Sequence, residues 1–71
     1  MHMRITGTVR YIDPGAGFWG IETDDGRCLQ PLELPYEYRT AGKRIEVAVV
    51  LLPDTASTEM WGEVCRITAA A

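Results

Sequence analysis

The side chains that could carry out chemistry are few and poorly placed for it. The chain has one histidine, His2, and one serine, Ser57. A hydrolytic nucleophile needs a positioned base and a third group that orients the base. His2 stands at the start of the sequence and Ser57 in a loop, so no such relay is spelled out. Two cysteines, Cys28 and Cys65, fall far short of the four Cys or His ligands of structural zinc. They read as reduced thiols packed like small hydrophobes, with a strand-linking disulfide as the alternative if the Cα spacing permits it. Gly15-Ala16-Gly17-Phe18-Trp19-Gly20 satisfies G-x-G-x-x-G. Dinucleotide binding requires a helix opened by that run within a βαβ unit, whereas a strand-like stretch and an Asp-Gly turn follow here. Asp24 and Asp25 sit beside Gly26, where Asp serves turn geometry. The expectation is a protein that is not an enzyme and carries no metal or cofactor.

The aromatic residues are the more informative ones. Trp19 and Trp61 read as core fillers, because a small domain needs bulky side chains. Tyr11 and Phe18, if exposed on one face of two neighbouring strands, would form a platform on which unpaired bases stack. Arg10 and Arg27 would flank it, making Arg10, Tyr11, Phe18 and Arg27 one candidate binding face. Against this, Asp13, Glu22, Asp24 and Asp25 would repel a polyanion at close range. A net charge of -3 also lacks the basic excess through which nucleic-acid binders gain affinity. A second candidate surface, made of Tyr36, Tyr38, Val50 and Leu52, has the apolar character of a protein interface. The competing role for Val50 and Leu52 is a barrel end covered by the helical segment.

These residues need elements to hold them, and hydrophobic period divides the chain clearly. From Met3 to Asp13, Ile5, Val9 and Tyr11 alternate with Arg4, Thr6, Thr8 and Arg10, the two-residue period of a half-buried strand. Asp13 to Gly17 is a Pro/Gly turn. Phe18–Thr23 predicts a second strand, Asp24-Asp25-Gly26 a hairpin turn, and Arg27–Gln30 a short third strand stopped by Pro31. Leu32 to Gly42 has no alternation, and Pro35 followed by Gly42 fits one or two helical turns. Lys43–Leu52 predicts a fourth strand, with Ile45, Val47, Val49 and Leu51 inward. Pro53–Ser57 reads as a loop. Thr58–Thr68 predicts a fifth strand, where Gly62 marks a bulge or a close backbone approach.

Three strands, a short helical turn and two strands predict an all-β domain. The order suits a five-stranded Greek-key barrel like the oligonucleotide/oligosaccharide-binding (OB) fold; an SH3-like barrel is the alternative. Closure also removes exposed edges from a chain with only 71 residues from which to build a core. The single domain spans 3–68, with flexible ends at 1–2 and 69–71.

The stretch from Gly7 to Arg27, GTVRYIDPGAGFWGIETDDGR, resembles the first two strands of cold-shock domains, members of that fold class. The resemblance implies that Tyr11 matches the family's strand-one tryptophan and Phe18 the first aromatic of strand two. Gly17 and Ile21 match turn and core positions. Three departures stand out: Ala16 replaces a basic residue, Trp19 a glycine, and Gly20 the second exposed phenylalanine. The family's second RNA-binding run has no counterpart between Arg27 and Leu34. The remainder, including LPYEYRTAGKRIEV, resembles small uncharacterised bacterial barrel proteins, which implies a fold and no activity.

No apolar run is long enough to span a bilayer, and the start lacks the apolar segment of a secretory signal. The sequence therefore predicts a small cytoplasmic binding module. Its expected partner is a protein or a second copy of itself, with single-stranded nucleic acid as the alternative.

Overall fold

The computed structural model describes residues 2–13, 17–55 and 61–70. Its elements are β1 (His2–Ile12), β2 (Phe18–Thr23), β3 (Cys28–Pro31), a 3-10 turn (Tyr36–Tyr38), β4 (Arg44–Leu51) and β5 (Glu63–Ala70). The strands close into a ring in the order β1-β2-β3-β5-β4. β3 and β5 run parallel and every other pair is antiparallel.

Alternation builds the interior. Ile5 and Val9 of β1, Ile21 of β2, Leu29 of β3, Ile45, Val47 and Val49 of β4, and Cys65 of β5 form one buried cluster, joined by Leu34 from the connection after β3. The long first strand serves two neighbours. Residues from His2 to Thr8 pair with β4, and those from Gly7 to Ile12 with β2. Gly7 lies where the two ladders overlap. A Cβ there would come 2.6 Å from the Glu22 carbonyl oxygen and 2.9 Å from Ile21 Cγ2, so only glycine lets the strands pinch together at this corner.

The Asp-Gly turn forms as its residues require. Gly26 takes φ 94°, and the Thr23 N–H donates to the Arg27 carbonyl at 2.8 Å. The Thr23 hydroxyl accepts the Arg27 N–H at 2.8 Å and donates to the Asp25 carboxylate, which holds that carboxyl below its usual range.

Several boundaries differ from the sequence expectation. β3 runs to Pro31 itself, because Pro31 pairs with Cys65 of β5 and no partner on its other side needs its missing N–H. The helical segment is a single turn without a side-chain cap. β5 begins at Glu63 and reaches Ala70, and the Thr58–Met60 part of the expected strand lies outside the described residues. The expected bulge is elsewhere. Register passes from Ala48↔Ala69 to Val49↔Ile67, leaving Thr68 as the extra residue. Gly62 precedes β5 and makes the close approach instead, since a Cβ there would come 2.5 Å from the Cys28 carbonyl oxygen. Both cysteines are free. The register sets Cys65 across from Pro31 and not Cys28, so the disulfide alternative is set aside.

A candidate binding groove beside β2 and β3

Pairing register decides which aromatic rings share a surface. Tyr11 lies opposite Trp19, and Ile12 opposite Phe18. Residues paired across an antiparallel ladder share a sheet face. Tyr11 and Trp19 therefore follow Val9 and Ile21 on the inner face, while Arg10, Phe18, Gly20 and Glu22 are on the outer one. The expected platform of Tyr11 and Phe18 is thus divided between two faces. Tyr11 meets Trp19 edge-on, with centroids 5.0 Å apart. Trp19 packs against the core, while Tyr11 stays 47% exposed at the barrel rim.

On the outer face the companion of Phe18 is Trp61, edge-on with centroids 5.7 Å apart. Trp61 also lies over Gly20, where a Cβ would come 2.6 Å from its Cη2. It is therefore a cover on the outside of β2 and not the core filler expected from its size. The signal was present in the sequence as Gly20, a residue with no side chain where a large aromatic fits the cold-shock resemblance.

The arginines expected to meet phosphate are engaged elsewhere. Arg10 pairs with Glu22 at 2.7 Å. Arg27 grips both carboxylate oxygens of Glu63, at 3.0 and 2.9 Å, and reaches Met3 Sδ at 3.3 Å. Arg44 bonds both oxygens of Asp24 at 2.8 Å, and this hydrogen-bonded guanidinium holds the Asp24 carboxyl below its ordinary range. Arg4 faces Glu46 at 3.6 Å. Among the described residues, the cations without a carboxylate partner are Arg39, Lys43 and Arg66. Arg39 donates its Nε–H to the Leu34 carbonyl at 2.7 Å.

Next to Phe18 the surface opens into a groove of about 330 Å³, lined by Phe18, Trp19, Pro31, Leu32, Glu33 and Arg39 among others. A second depression continues it, sharing Leu32 and Glu33 and adding Pro35, Arg66 and Ile67. Leu32 is 54% exposed on the boundary between them. Neither Leu32 nor Arg39 is among the site residues expected from the sequence, since a segment without alternation gives no face to read.

The other expected patch does not assemble as one surface. Tyr36 is 83% exposed, but Tyr38 packs against the core. Val50 lies opposite His2 and Arg66, and the Leu52 N–H donates to the Val64 carbonyl at 2.9 Å. The 3-10 turn leads instead into the other end of β4, through Gly42 and Lys43, whose backbones bond Val9.

Among the described residues no three His, Cys, Asp or Glu side chains gather as metal ligands. Burial, with the Glu63 charge nearby, pushes the Cys65 thiol up to about 11, leaving it a protonated and inert group at neutral pH. Among the described residues no helix is long and apolar enough to cross a membrane. Comparison with family models, with curated proteins and with solved structures found no match.

Proposed function

We propose that the chain is an OB-like barrel acting as a non-catalytic protein-binding module, with its partner seated on the groove bounded by Phe18, Trp19, Leu32 and Arg39. The ring order and the helical turn between the third and fourth strands support the OB-like reading. One observation carries the choice of partner. Four of the arginines are tied to carboxylates, while the groove itself presents the exposed Leu32 beside Phe18 and Trp19. Paired arginines have little positive potential to offer a polyanion, whereas aromatic and aliphatic groups ringed by mixed charge are what protein interfaces use. The free cysteines accord with a reducing compartment.

A second reading has its own support. The Phe18 and Trp61 rings lie on the outside of β2, and OB folds bind oligonucleotides on the face of their second and third strands. Capture with the immobilised chain separates the two. Nuclease-resistant protein capture that is lost in Leu32→Glu supports the protein module. Capture abolished by nuclease treatment contradicts it.

A further inference from the structure

The groove exists because two strands part company. β2 and β3 pair only at Ile21↔Leu29 and Glu22↔Cys28. Continued in register, that ladder would set Trp19 opposite Pro31. Instead β3 turns to β5, pairing Gln30 with Val64 and Pro31 with Cys65, and the Leu32 N–H donates to the Cys65 carbonyl at 2.9 Å. The first residues of β2 keep their pairing to β1 on the other side.

Main-chain direction completes the picture. In an antiparallel strand the N–H and C=O of one residue point to the same side, and alternate residues point to opposite sides. The Thr23 N–H bonds Arg27 on the β3 side, and Ile21 pairs with Leu29 in the same sense. Trp19 has the same parity, so its N–H and C=O face the opening, across from a proline with no N–H to give. An exposed strand edge of this kind templates the addition of another strand.

We propose, building on the protein-module reading, that this split between β2 and β3 accepts an extended, net-acidic peptide segment of a partner protein, which pairs with the Trp19 main chain as an added strand. Charge selects the acidic segment. Two of the three described cations without a carboxylate partner, Arg39 and Arg66, line the two halves of the groove, with Glu33 as the opposing charge between them. Phe18 and Leu32 offer apolar contacts to alternate side chains of such a strand.

The test is selection of a displayed library of random nonamer peptides on the full chain, followed by amide hydrogen exchange with the enriched peptides. Enriched peptides should be net acidic, slow exchange of the Trp19 amide at least tenfold, and lose at least tenfold in affinity to Arg66→Glu. N-methylation of alternate amides along one peptide edge should abolish binding, and along the other edge should not. Peptides that bind without protecting Trp19, or that tolerate both methylation patterns, overturn strand addition while leaving the protein module standing. Failure to enrich any peptide also overturns it, with nuclease-resistant capture deciding the module separately. Protection of Trp19 that rises with chain concentration alone would replace the partner peptide by a second copy.

Discussion

Trp61 lies across Gly20, so the outer face of β2 is closed by a ring brought in from the segment before β5. A Cβ at Gly20 meets only the far end of that ring, and Gly20 shows no positive φ that would strain a substitution. Gly20→Ala should therefore swing Trp61 aside at a cost of about 1 kcal/mol, the low end for overpacking. With 5-fluorotryptophan, the Trp61 fluorine resonance should move while that of Trp19 stays.

Gly62 is the harder case, because its neighbour is main chain. The Cys28 carbonyl oxygen, which a Cβ on Gly62 would approach to 2.5 Å, belongs to β3 and cannot yield without disturbing the β3–β5 pairing. Gly62→Ala should lower unfolding free energy by about 1–3 kcal/mol, read as a lower urea midpoint at unchanged m-value.

Cys65 gives the barrel an alkaline weakness. Burial raises its pKa from 9.0 to about 11 in the folded state. Between those values the unfolded chain loses the proton while the folded chain keeps it, so stability present below pH 9 declines as pH rises toward 11. The loss should be about 2–3 kcal/mol at most. In Cys65→Ala, urea titrations across that range should show this component of the decline removed, on top of a uniform cavity cost. Under native conditions at neutral pH, a thiol reagent should label the half-buried Cys28 well before Cys65.

Releasing the committed arginines should change what the surface binds. Glu22→Gln with Glu63→Gln leaves Arg10 and Arg27 without their carboxylates. Exposed ion pairs contribute under about 1 kcal/mol each, so the double variant should stay folded. It should gain oligonucleotide affinity that falls steeply with salt, measured by fluorescence anisotropy against the wild-type chain.

Much of the barrel was legible because its strands obey local rules. Ile5, Val9, Ile45, Val47 and Val49 alternate with polar residues, and the structure buries all of them. The Asp-Gly hairpin was equally plain. What failed were features set by distant parts of the chain. The faces of Tyr11 and Phe18 depend on register across the turn between β1 and β2, which composition does not fix. The place of Trp61 depends on the room above Gly20. The groove depends on β3 leaving β2 for β5, a choice made between strands far apart in sequence, and so Leu32 and Arg39 carried no local mark of their position.

The central claim is that this face suits protein and not a polyanion, because four of the six arginines are tied to carboxylates elsewhere and the two that line the groove, Arg39 and Arg66, share it with the Glu33 charge and with apolar surface. An amide-shift NMR titration of the wild-type chain with a mixed pool of single-stranded DNA and RNA at low salt tests it most directly. The account predicts no shifts at Phe18, Trp19 or Trp61 up to near-millimolar oligonucleotide. Shifts concentrated at those residues, and weakening as salt is added, would contradict it.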